Sequence, residues 1–234
     1  MEEVKKTQVY NLVILDKSGS MHSIRKEAVN GFNETLGSIK SAQQKHQDSQ
    51  EHFVSLAAFC SCGIDMIYDK TPINEAKMMD DNQYVPCCCT PLFDAIGKTV
   101  NVLRRDIKDI EDTAVLVTII TDGYENDSKD WSGPGVKALI EELKEEGWMF
   151  SFIGAGEDIV KCATTISITN TVVWEKTSRG TREVFANENR ARDRYFEKMK
   201  SSGYNNVLSN VQRREMKKRF AQEFYNEEDE NKQS

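Results

Sequence analysis

The stretch Tyr10-Asn11-Leu12-Val13-Ile14-Leu15-Asp16-Lys17-Ser18-Gly19-Ser20 passes from apolar to oxygen-bearing side chains within one residue. Its first half is an apolar run broken only by Asn11, the pattern of a strand covered on both faces. Its second half alternates Asp16, Ser18 and Ser20, so an extended loop sends these side chains to one side while Gly19 permits a tight bend. Ile24, Ala28, Phe32, Leu36 and Ile39 then recur at helical spacing, and the segment reads strand, loop, helix.

The same alternation continues along the chain. Residues 53–59, 114–120, 148–153 and 171–174 read as strands, and 66–68, short and bounded by polar residues, as an edge strand. Leu92, Ile96, Val100, Leu103 and Ile107 mark a helix opening at Thr90-Pro91, with Thr at the cap. Val136, Leu139, Ile140 and Leu143 mark another that stops at Gly147; a short helix is expected over 157–164 and a charged closing helix over about 182–199. The expected fold class is α/β: a doubly wound, mostly parallel six-stranded sheet with one short antiparallel edge strand and helices on both faces. Residues 1–7 read as an N-terminal extension, 8–200 as the domain, and 201–234 as a charged, flexible tail with a basic stretch at 213–220.

Of the 234 residues, 38% are hydrophobic and 29% charged, the ordinary range of soluble globular chains. The net charge of -7 and a pI near 5.2 disfavour a phosphate-backbone footprint, so nucleic acid is not an expected partner. The opening residues lack a signal-type apolar region and no apolar run reaches membrane-spanning length, so a cytoplasmic location and no membrane partner are expected. The six cysteines, at 60, 62, 87, 88, 89 and 162, are then expected to stay reduced.

Parallel sheets of this kind bind ligands beyond the carboxyl ends of their strands, near a switch point. Asp16-Lys17-Ser18-Gly19-Ser20 and Thr121-Asp122-Gly123 lie at such ends. The carboxylates of Asp16 and Asp122 with the hydroxyls of Ser18, Ser20 and Thr90 offer only oxygen, which suits Mg²⁺, with Mn²⁺ or Ca²⁺ as alternatives; zinc and copper favour imidazole and thiolate. Each residue also has a plainer role open to it: Ser20, Ser23 or Thr90 as a helix cap, Asp122-Gly123 as a turn.

These three separated segments, in this order, resemble the metal-ion-dependent adhesion site (MIDAS) of von Willebrand factor A (VWA) domains. The resemblance spans roughly residues 8–180 and includes Gly31-Phe32-Asn33, the run from Thr90 to Gly97, Glu125-Asn126, Gly147-Trp148 and Phe152-Ile153-Gly154-Ala155. It is greatest to the small intracellular VWA proteins of bacteria and their phages. It implies a Rossmann-like fold in which Ser18, Ser20 and Thr90 touch the ion, while Asp16 and Asp122 act mostly through waters and hydroxyls. It also implies that the ion recruits a Glu or Asp of a partner protein, so that the output is binding and the chain is not an enzyme. Two other functions stay open: a metal-dependent phosphate hydrolase, and a scaffold whose ion is structural while a partner binds elsewhere.

Where the family commonly has glycine before the site threonine, this chain has Cys87-Cys88-Cys89. Together with Cys60 and Cys62 these read either as a thiolate cluster for zinc or redox chemistry or as small, reduced packing residues. Gly154-Ala155-Gly156 resembles a dinucleotide loop but has Ile159 at the third glycine position. His22 is expected to be a solvated loop residue, and Glu125, Asp127 and Asp130 an acidic rim that steers a basic partner, holds a second cation or is merely solvated.

Overall fold

Strand β1 (Thr7–Asp16) is buried along nearly its whole length, and parallel partners flank it on both sides: β2 (Gln50–Cys60) and β4 (Thr113–Thr121). The computed structural model describes residues 6–202 and 209–225; the expectations for 1–5 and for the acidic end, 226–234, lie outside them. With β3 (Gly63–Pro72), β5 (Met149–Gly154) and β6 (Asn170–Val173), the sheet has six strands in the order β3-β2-β1-β4-β5-β6. Only β3 runs antiparallel, at the edge. The chain leaves β1 for β2 on one side and returns to β4 on the other, which puts the switch point between β1 and β4.

Helices cover both faces. Tyr10, Leu12 and Ile14 of β1 pack with α2 (Leu92–Ile107), α3 (Gly133–Glu145) and α4 (Glu157–Thr165). The alternate residues Val9, Val13 and Leu15 face α1 (Arg25–Lys45), α5 (Ser178–Ser201) and α6 (Asn210–Gln222). Gly31 lets α1 and α5 close together, since a Cβ there would fall 2.0 Å from the Phe185 ring. Among the described residues, no helix is long and apolar enough to cross a membrane.

The structure departs from the expectations in several places. The edge strand is not short: it runs ten residues, but both its faces stay half open and carry Asp65, Asp69 and Lys70, so no apolar period marks its length. The stretch expected as a charged tail contains an ordered element among its described residues. Its segment 210–222 is a helix with a Ser209–Gln212 capping box, and Phe220, Ala221 and Phe224 are buried against Leu116, Met149 and Tyr195. Three apolar residues among many charges suffice because the sheet end and α5 already offer an apolar surface.

Beneath α5 lies an ion pair without exposure. Arg192 reaches Glu188 at 3.0 Å, and the two side chains are 1% and 0% exposed. Arg192 also donates to Asn11 Oδ1 at 2.9 Å and Thr118 Oγ1 at 2.8 Å; Ser151 and Thr118 donate to Glu188, and so does the Tyr225 hydroxyl. Asn11, the one interruption of the β1 apolar run, is thus the polar end of this network.

Candidate functional site

β1 and β4 end side by side, with Leu15 paired to Ile120, so Asp16 and Thr121 leave the sheet together. Asp16 is fully buried and both its carboxylate oxygens are engaged: Oδ1 accepts the Ser18 backbone N–H at 2.7 Å and Oδ2 the Thr121 hydroxyl at 2.6 Å. These bonds fold the chain past β1 back on itself. The Ser18 and Ser20 hydroxyls are 3.1 Å apart, and Ser20 donates to Asp122 Oδ1 at 2.5 Å. The Tyr84 hydroxyl donates to the Asp16 carbonyl. Burial, reinforced by the charges of Asp16 and Asp122, pushes the Tyr84 phenol far up, so it stays a donor.

Thr90 joins from the loop before α2. Its backbone N–H is held by Asn126 Oδ1 at 2.8 Å and its carbonyl accepts the Asn126 N–H at 3.1 Å. The helix-cap role open to Thr90 is not the one it takes. The residue flanking α2 is Pro91, and the free N–H groups of its first turn are met by Glu125, which accepts from Phe93, and by Ser128 Oγ, which accepts from Asp94. Ser20 and Ser23 do not cap α1 either, as no side chain accepts at its start. The loop hydroxyls are therefore free of helix duty.

Gly123 shows where the donors converge. A Cβ built on it would lie 2.9 Å from Thr90 Oγ1, 3.5 Å from Asp16 Oδ2 and 3.6 Å from Ser20 Oγ. Oxygens from two segments, the end of β1 with its loop and the loop before α2, thus face one point that the glycine of a third loop leaves open. Burial pushes the Asp16 carboxyl up to about 6, and the nearby negative charge of Asp122 adds to the rise. Two buried carboxylates and three hydroxyls around a small opening form a donor set that a hard divalent cation fits.

The acidic rim has a structural occupation. Glu125 accepts the N–H groups of Asp127 and Ser128, Asp94 accepts those of Lys129, Asp130 and Trp131, and Asp130 pairs with Lys98. His22 is exposed on a 3-10 turn, Gly19–Ile24.

Lys176 is a residue of the candidate site that the strand-by-strand reading passed over. From the loop between β6 and α5 its ammonium lies 2.6 Å from Asp122 Oδ2, on a carboxylate with no exposure. Its position past the carboxyl end of a parallel strand was the available signal, since the loops after β1, β2, β4, β5 and β6 all start at this edge of the sheet.

No protein-family profile matches the chain, and no curated protein does. Solved structures do. The proximal thread matrix protein 1 of the mussel byssus superposes with a TM-score of 0.53 at 13% identity, over 80% of this chain and 47% of its own, so the chain spans less than half of that protein. A manganese-loaded TRAP protein of Plasmodium vivax matches with a TM-score of 0.50 at 17% identity, over 78% of this chain and 72% of its own. The SpRpn10 VWA domain matches with a TM-score of 0.55 at 9% identity, over 76% of this chain and 93% of its own. At such identities the likeness is one of fold: this chain has the α/β fold of a VWA domain, with its candidate oxygen donors gathered at the carboxyl edge of the sheet.

Proposed function

We propose that the chain is a divalent-metal-dependent protein-binding module of the MIDAS type, which captures a Glu or Asp of a partner protein through Mg²⁺. The observation that carries this reading is the convergence of Asp16 Oδ2, Ser20 Oγ and Thr90 Oγ1 on the space beside Gly123. Ser18, Ser20 and Thr90 would hold the ion directly, with Asp16 and Asp122 fixing their orientation through hydrogen bonds of the kind seen between Ser20 and Asp122. A bound dication supplies a Lewis-acidic position at which a partner carboxylate completes the coordination. The manganese in the TRAP protein, a chain of like fold, is consistent with an ion of this class, and the oxygen set favours Mg²⁺ or Mn²⁺ over softer metals.

Binding is proposed as the output, and the chain is not proposed as an enzyme. The Asp16 and Asp122 carboxylates are held by Ser18, Thr121, Ser20 and Lys176, an arrangement that suits groups orienting the ligands of an ion.

The test is calorimetric titration of the protein with Mg²⁺ and Mn²⁺, followed by capture from its native cell extract with and without chelator. The Asp122→Ala protein is the control. Metal binding lost in Asp122→Ala together with chelator-sensitive prey supports the module; identical prey in every condition overturns it.

A further inference from the structure

Beyond the oxygen site, four cysteines from two segments gather in one place. Cys60 closes β2 and is buried, Cys62 stands exposed in the tight turn to β3, and the loop before Thr90 brings up Cys87, half-buried, and Cys88, exposed. All four are free thiols. Cys60 Sγ lies 3.1 Å from Cys87 Sγ, while Cys62 Sγ lies 3.0 Å from Cys88 Sγ and 3.9 Å from Cys87 Sγ. The sulfurs of Cys60, Cys62 and Cys87 all fall within 4.8 Å of one another.

Packing does not account for this arrangement. Cysteine used as a small apolar residue belongs in the interior, yet two of the four are exposed and turn toward each other. Neighbouring side chains of an extended chain point to opposite sides. Cys88 instead adopts a left-handed φ of 61°, and with it both Cys87 and Cys88 reach Cys62. That conformation is strained for a residue with a Cβ.

We propose that Cys60, Cys62, Cys87 and Cys88 form a thiolate site for one Zn²⁺, separate from the oxygen site and independent of what that site binds. Four thiolates are the preferred set of this soft-accepting, redox-inert cation. A tetrahedron with Zn–S bonds of about 2.3 Å separates its sulfurs by about 3.8 Å. The contact at 3.9 Å already has that spacing, and those at 3.0 and 3.1 Å open by about 0.7 Å as the side chains of Cys62, Cys87 and Cys88 turn in their two loops, with Cys60 fixed at the end of β2 and Cys88 swinging in to join the other three. Each thiol gives up its proton to solvent as its sulfur binds, and no electron is transferred. The charge left on the filled site is met in part by Lys17, whose ammonium acts on Cys60, Cys87 and Cys88 while also pairing with Asp65.

The site would clip the β2–β3 turn to the far end of the segment between β3 and α2, which carries no helix or strand. Closing a long irregular loop at its end is where a cross-link restricts the chain most. The same residues already hold the Ser18–Ser20 loop, through Cys87 N–H to the Lys17 carbonyl at 2.8 Å and Gly19 N–H to the Cys88 carbonyl at 3.0 Å.

The test loads the reduced, metal-stripped protein with Zn²⁺ and, separately, with Co²⁺ as a spectroscopic probe. Expected are one zinc per chain after gel filtration and a thiolate-to-cobalt charge-transfer band. Both should persist in Cys162→Ser and Asp122→Ala and vanish in the double variant Cys62→Ser/Cys87→Ser, whose circular dichroism confirms that it folds. Should that double variant fail to fold, Cys88→Ser alone, at an exposed thiol, is expected to weaken zinc retention and shift the cobalt spectrum. Reduced protein that retains no zinc, a cobalt spectrum without thiolate character, or zinc lost in Asp122→Ala but kept in Cys62→Ser/Cys87→Ser overturns the proposal. So does a reduced form indifferent to zinc whose oxidised form carries Cys60–Cys87 and Cys62–Cys88 disulfides, which would assign the cluster to redox chemistry.

Discussion

Two of the polar clusters within the described residues are built on opposite plans. Under α5, Glu188 and Arg192 neutralise each other, and Asn11, Thr118, Ser151 and Tyr225 occupy most of their remaining hydrogen-bonding capacity. At the carboxyl edge of the sheet, Asp16 and Asp122 lie together with one ammonium, Lys176, on their outer side and a glycine-sized opening between them. The inner cluster is closed and serves to register α5 on the sheet. The outer one is short of positive charge, which is the condition under which a site takes up a cation.

The largest expected effect comes from breaking the closed cluster. Arg192→Ala leaves Glu188 buried without its partner, and urea unfolding should show a loss of about 3–5 kcal/mol. The double replacement Arg192→Met/Glu188→Leu should recover much of that loss; if it is as unstable as the single variant, the network contributes more than charge neutralisation.

Acid probes the same region. Burial, with the positive charges of His46 and Arg192 adding to it, holds the His52 imidazole down at about 3. The unfolded chain takes that proton near 6.5 and the native state refuses it until about 3, so stability is present above 6.5 and declines as pH falls through that window. The slope is at most about 1.4 kcal/mol per pH unit for one group. Urea midpoints measured across the window should flatten in His52→Gln; an unchanged slope would move the acid sensitivity elsewhere.

The open cluster should respond to metal. Mg²⁺ at one hundred times its Kd should raise the stability of the wild-type chain by about 2.7 kcal/mol, and that of Asp16→Ala or Asp122→Ala by almost nothing. Thermal unfolding with and without chelator reads the difference. An equal shift in all three proteins would place the ion away from these carboxylates.

The smallest effect is expected at Lys176, which is partly exposed. Lys176→Ala removes a competing cation from Asp122, and calorimetry should record Mg²⁺ binding several-fold tighter, equivalent to under about 1 kcal/mol. Weaker binding would mean that Lys176 supports the site and does not compete for it.

Much of this molecule is legible in one dimension. The apolar run from Tyr10 to Leu15, the helical spacing after Ile24 and the repeated alternation determine a parallel sheet covered on both faces, because periods of 2 and 3.6 are local properties of the chain. The rule that strand ends carry the chemistry then selects Asp16, Ser18, Ser20 and Asp122, and the oxygen-only set selects a hard cation.

What only the tertiary structure decided are pairings between residues far apart in sequence. Asn11 meets Arg192 across 181 positions, Lys176 reaches Asp122, Cys60 and Cys62 face Cys87 and Cys88, and Phe220 and Phe224 find an apolar surface against which to dock. No local period encodes such contacts. They follow from the strand order and from the register that sets Leu15 beside Ile120, and they decide which polar groups are satisfied from within and which are left to bind something else.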